Sequence, residues 1–228
     1  MKTTDKTRLR RLVGWIDARL VKAYGEPAPH PPGDPLDGLI ATILSQNTSD
    51  TNSKRAYAAM RAAFPTWKDV MNASPKQLEN ILRPGGLAKT KGARIQRLLE
   101  SITAKGRLSL DPIKKMTNDE AQAYLLAFDG VGYKTARCVL LFQLGRDVFP
   151  IDTHVYRVLR RMDIIPEKMN GERAHLYLPQ FIAKGRCYPL HINLIRHGRH
   201  ICHPRNPECA QCPLQSRCGF WKTVESAQ

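Results

Sequence analysis

Phe128-Asp-Gly-Val-Gly-Tyr-Lys-Thr-Ala136 is the stretch on which the reading of this chain turns. It lies between two segments with the spacing of amphipathic helices, and two glycines, Gly130 and Gly132, bracket the aliphatic Val131. That pattern allows a tight turn with its backbone N–H groups exposed at the start of the next helix, a concavity that binds phosphate without sequence preference. A plain interhelical turn uses the same glycines, so the hairpin alone leaves both readings open. Lys134 falls in the first turn of the second helix, where the positive helix end favours the neutral, nucleophilic amine. Its other reading is one more phosphate-contacting lysine.

Outward from the hairpin the chain reads as helices joined by short turns. Leu9, Leu12, Val13, Ile16 and Leu20 share one helical face, which breaks at the proline-rich stretch 25–33. Asp34-Pro35 supplies an N-cap and a first-turn proline for a helix from Leu36 to about Ser45. Ser74-Pro-Lys-Gln77 and Thr117-Asn-Asp-Glu120 are capping boxes ahead of apolar runs. The one short apolar stretch outside a helical pattern, Val148 to Ile151, is interrupted by Pro150. The fold class is all-α. Asp152 follows in Ile151-Asp-Thr-His-Val155, where it reads either as the N-cap of a helix from Thr153 or as a functional carboxylate.

The charge narrows the partners. Lys and Arg number 36 against 20 Asp and Glu, a net charge of +16, which suits a polyanion such as nucleic acid better than a neutral ligand. No apolar run approaches the ~20 residues that span a bilayer. Met1 to Arg10 has basic residues but no apolar stretch after them, so we expect no secretory leader, a cytoplasmic protein (nucleoid-associated if bacterial) and reduced cysteines. Four of the six cysteines, Cys202, Cys209, Cys212 and Cys218, are spaced C-x6-C-x2-C-x5-C. Four sulfur ligands without a histidine at ligand spacing suit either zinc or a [4Fe–4S] cluster. The loop they occupy, 202–218, is too irregular to hold itself together without a metal. Cys138 and Cys187 sit among apolar residues and read as packing.

The hairpin with Lys134, then Asp152-Thr-His154, then the four-cysteine loop together resemble the endonuclease III family of DNA glycosylases. The resemblance extends to Leu39-Ile-Ala-Thr-Ile-Leu-Ser-Gln-Asn-Thr-Ser-Asp50 and to Gly85-Gly-Leu-Ala-Lys-Thr-Lys-Gly92, and covers about residues 10–220. It implies two helical domains: a six-helix domain at 34–146 carrying a helix-hairpin-helix, and a discontinuous domain of 1–33 and 147–228 with a [4Fe–4S] loop. It further implies a monomer that binds double-stranded DNA containing damaged bases or abasic sites and flips the nucleotide out between the domains. Lys134 matches the catalytic lysine of a glycosylase/AP lyase, and Asp152 the catalytic aspartate. His154 orients the loop. Asn47, or Gln46 one position away, matches the residue that fills the gap left by the flipped base, and Leu87 the apolar wedge, whose bland reading is a core leucine. Gly130, Val131, Gly132 and Tyr133 belong to the DNA-binding hairpin. The basic run of Arg83, Lys89, Lys91, Arg94, Arg97, Lys105 and Arg107 is expected to contact phosphates. The hairpin departs from the family in Phe128-Asp129, where Leu-Pro is common, and in Tyr133. The expected substrates are oxidised pyrimidines such as thymine glycol. A mismatched thymine or uracil, or a non-catalytic damage-binding role on the same scaffold, are the alternatives.

Overall fold

The computed structural model describes residues 3–225; Met1 and Lys2, where the leader-free start was read, lie outside it, as do 226–228. Among the described residues there are twelve α-helices: α1 (Thr3–Tyr24), α2 (Pro35–Ser45), α3 (Asp50–Ala63), α4 (Trp67–Asn72), α5 (Pro75–Leu82), α6 (Ala88–Thr103), α7 (Asn118–Leu126), α8 (Tyr133–Cys138), α9 (Thr153–Arg161), α10 (Gly171–Tyr177), α11 (Cys187–His200) and α12 (Gly219–Glu225). No strand occurs among the described residues, and the stretch around Pro150 has no regular secondary structure. The chain divides into two compact units, Pro31–Arg146 and a second formed by Met1–His30 with Asp147–Gln228.

In the contiguous unit α2 is the central helix. Leu36, Leu39, Ile40, Ile43 and Leu44 are all at most 2% exposed, so α2 is apolar on most sides and packs against α3, α6 and α8. Asp34 starts it by accepting the N–H groups of Leu36 and Asp37, each at 2.9 Å. Both expected capping boxes are formed, and Thr66 with Asp69 makes a third ahead of α4. One feature is illegible in the sequence: α8 widens after Cys138 into a π turn, Val139–Gln143, whose apolar side chains pack on α2.

The discontinuous unit depends on contacts between residues far apart in sequence. α1 lays Leu9, Val13, Ile16 and Leu20 against α11, and α11 packs on α9. Arg186, just before α11, donates to both carboxylate oxygens of Asp17 at 2.6 and 3.1 Å and to both of Glu26 at 2.7 and 3.1 Å. Asp17 is 9% exposed. A planar fork can serve two carboxylates at once, which lysine cannot. Asp147 closes the other side, accepting the N–H of Gly185 at 2.6 Å and of Cys187 at 3.2 Å. Removing Arg186 leaves Asp17 charged and poorly solvated. Arg186→Ala should therefore destabilise the protein by about 3 kcal/mol in urea unfolding, with Arg186→Lys recovering only part of it.

Candidate functional site

The hairpin is anchored by its middle residue. Val131 is 5% exposed and donates its N–H to Phe128 O at 3.1 Å, so the two glycines ride outside it. Gly130 has φ 75°, and a Cβ there would lie 2.7 Å from Cδ and Nε of Arg94. Both facts demand glycine. Gly132 is the N-cap of α8 and, having no side chain, makes no side-chain cap there. Tyr133 and Lys134 follow at once, both half-buried. Asp129 at the turn faces Arg97 at 3.8 Å with both side chains mostly exposed, a contact of little energy that nonetheless partners the acidic residue.

Around Lys134 the same unit gathers a polar relay. Thr135 is 4% exposed and accepts from Gln46 Nε2 at 3.4 Å, while Gln46 Oε1 accepts from Arg94 at 3.1 Å. Gln46 is therefore held between α6 and α8. Asn47 next to it is exposed and left-handed, φ 53°, a conformation that asparagine tolerates better than most residues. Leu87 is also left-handed, φ 49°, and 58% exposed, at the N-cap of α6. An exposed leucine in that conformation is held by its surroundings, not by its own preference.

Lys91 supplies much of that hold. Its ammonium donates to Leu44 O at 2.7 Å and Gly85 O at 2.9 Å, and its backbone N–H to Leu87 O at 2.9 Å. At 4% exposure it cannot contact phosphate, which corrects the expectation for this member of the basic run. Burial pulls its pKa below the ordinary lysine value. Lys105 also has an intramolecular role, with its ammonium 4.5 and 4.9 Å from the ring centres of Tyr124 and Phe128.

In the other unit, Asp152 is the N-cap of α9. Its Oδ1 accepts the Val155 N–H at 2.8 Å, and Oδ2 makes no hydrogen bond among the described residues. His154 Nδ1 accepts from Arg157 at 3.1 Å. Arg157 also donates to Gly198 O at 2.7 Å and Cys202 O at 2.9 Å, tying α9 to α11 and to the cysteine loop. Gly198 permits this crossing, because a Cβ there would lie 2.8 Å from that of His154. Lys134 and Asp152 thus each stand at the start of a helix, one in each unit.

The four cysteines occupy a loop whose buried side chains are Leu214 and Cys218. Arg161 donates to Cys202 Sγ at 3.2 Å, to His203 O at 2.7 Å and to Pro204 O at 3.1 Å. His197 Nε2 lies 3.6 Å from Cys212 Sγ, and Tyr24 OH meets its Nδ1 at 3.0 Å. Burial, helped by Arg157, pushes the His197 pKa down to about 4 and keeps it neutral. Backbone N–H groups of Leu214, Phe220 and Trp221 serve the sulfurs of Cys212 and Cys218. Burial pushes the Cys212 thiol up to about 11, so without a metal it stays protonated. No three His, Cys, Asp or Glu groups among the described residues converge on a single ion. A [4Fe–4S] cluster takes four thiolates, and the N–H donors at Cys212 and Cys218 with the Arg161 guanidinium at Cys202 suit its sulfur ligands.

Comparison with known proteins agrees with this arrangement. Residues 40–181 match the HhH-GPD superfamily of base excision DNA repair proteins, and 202–218 match the iron–sulfur binding domain of endonuclease III. The chain belongs to the HhH-GPD superfamily, and its cysteine loop matches the iron–sulfur binding domain found in endonuclease III. By class it is a base excision DNA repair protein whose cysteine loop carries a [4Fe–4S] cluster. An Arabidopsis thaliana protein bearing a DNA glycosylase name is 39% identical over 168 residues, 73% of this chain; the chain spans only 57% of that protein's length. Endonuclease III of Thermotoga maritima is 29% identical over 89% of this chain and 90% of its own. A non-covalent endonuclease III–DNA complex superposes with a TM-score of 0.79 at 25% identity, covering 99% of this chain and 100% of that one.

Two substitutions test the supporting contacts. Lys91→Met should cost about 2 kcal/mol in urea unfolding, because two buried carbonyls lose their donor. Arg161→Ala should speed loss of the visible iron–sulfur absorbance to a chelator by about tenfold, the usual effect of removing a hydrogen-bond partner of a ligand.

Proposed function

We propose that the enzyme removes oxidised pyrimidines of the thymine-glycol type from duplex DNA, then cuts the strand at the resulting abasic site, and that it works as a monomer. The nucleotide is flipped out of the stack at a cost of a few kcal/mol, least for a damaged base. Leu87, exposed on its strained turn, is the wedge, and Asn47 fills the vacated space, with Gln46 one position away as its substitute. The neutral Lys134 amine attacks C1′, the base leaves with the glycosidic electron pair, and the sugar ring opens to a Schiff base. Loss of a C2′ proton then breaks the C3′–O bond and cuts the strand. Asp152, with Oδ2 uncommitted, assists deprotonation of the lysine or stabilises the cationic sugar. Cys202, Cys209, Cys212 and Cys218 would hold the cluster, which fixes the loop.

The observation that carries this reading is Lys134 in the first turn of α8, directly after an uncapped glycine hairpin and beside the Gln46–Thr135 contact. Borohydride trapping on duplexes containing thymine glycol, uracil opposite guanine, or an abasic site tests it. A covalent adduct that disappears in Lys134→Ala is expected, with thymine glycol the most reactive lesion. Strand cleavage retained in Lys134→Ala would remove the lysine from its role. Greater reactivity at uracil would replace the substrate class.

A further inference from the structure

The irregular stretch that ends at Asp152 is gripped by two buried histidines. Phe149, Pro150 and Ile151 are buried, and with no strand beside them their peptide groups need other partners. Both polar atoms of one peptide, that joining Pro150 to Ile151, are met by imidazoles from different helices. His175 on α10 accepts the Ile151 N–H at Nε2, 3.0 Å away. Its other nitrogen, Nδ1, lies 2.8 Å from Gly171 O and donates to it, which fixes the tautomer. His191 on α11 donates from Nδ1 to Pro150 O at 3.0 Å. Its ring stands edge-on to Phe149, with centroids 6.1 Å apart.

At 4% and 1% exposure neither histidine is open to a substrate. We propose that His175 and His191 are positioning residues for Asp152: by clamping the Pro150–Ile151 peptide they fix the backbone from which its carboxylate projects. The inference rests on the catalytic reading of Asp152 above. The cap bond from Val155 fixes Asp152 from its C-terminal side. Ahead of Asp152 runs only this irregular stretch, and a rotation of the clamped peptide passes through Ile151 to the carboxylate. Displacing a catalytic group by about 1 Å can cost on the order of 100-fold in rate.

The test uses the holoenzyme on an abasic-site duplex, with single-turnover cleavage normalised to cluster content and duplex affinity measured alongside. His175→Leu and His191→Leu remove the contacts. His175→Gln retains an acceptor near Nε2, and His191→Asn a donor near Nδ1. The leucine variants should cleave about tenfold or more slowly at unchanged duplex affinity, and the amide variants should recover most of the rate. In an Asp152→Asn background the leucine substitutions should add nothing, since the residue they act through is already disabled. If leucine is not tolerated in the fold, the exchanged amides, His175→Asn and His191→Gln, misplace the polar atom by one bond and should lose rate in the same way. Wild-type cleavage in folded leucine variants, or a loss that persists fully in the Asp152→Asn background, overturns the clamp. Unchanged cleavage in Asp152→Asn itself overturns the catalytic reading instead, and the two failures are therefore distinct.

Discussion

Two arginines on one helix carry the iron–sulfur loop. With so few apolar side chains of its own, the stretch 202–218 lacks the means to fold by burial, and Arg157 and Arg161 of α9 hold its first residues through backbone carbonyls and one sulfur. The same helix is capped at its other end by Asp152. Nine residues of helix, roughly 13 Å, therefore join the cysteine loop to the carboxylate. An order imposed at one end of so short a rod is felt at the other. Cluster and carboxylate share a mechanical frame even though the cluster itself takes no part in the sugar chemistry proposed for this enzyme.

The contiguous unit uses strain where the other uses ligation. Gly86 and Leu87 are consecutive left-handed residues, and a leucine held there with its side chain in solvent is unfavourable twice over. The arrangement persists because Lys91 is fixed beneath it, its charge set against the Leu44 carbonyl at the C-terminus of α2, where the helix dipole is negative, and against the carbonyl of Gly85 in the turn itself. A buried lysine with no carboxylate partner would ordinarily be a liability. Here carbonyl dipoles satisfy it, and the surface turn gains rigidity.

What could be read from the sequence shares one property: short range. Helix caps, the glycine hairpin and the cysteine spacing are each set within a few residues, and the all-α class follows from the period of the apolar positions. Most of the features that escaped reading are long-range. Periodicity cannot distinguish a lysine that faces solvent from Lys91, whose partner Leu44 is 47 positions away. Nothing near His175 or His191 announces that both meet one peptide, because the helices that carry them are placed by packing. The π turn after Cys138 is equally silent, since the same apolar run satisfies an ordinary helix. Gln46, read as one position out of register, makes its two hydrogen bonds to residues 48 and 89 positions away.

The Arg186 clasp bears on how the chain is made. Asp17 and Arg186 are 169 residues apart, so at about 5–20 residues per second α1 emerges from the ribosome on the order of ten to thirty seconds before its partner. In that interval the stretch Pro31–Arg146 is already complete and can fold as a unit, while the apolar face of α1 has nothing to bury against. The nascent chain thus carries an unpaired amphipathic helix ahead of a finished core. That makes the N-terminal helix the segment with most to gain from chaperone shelter during synthesis.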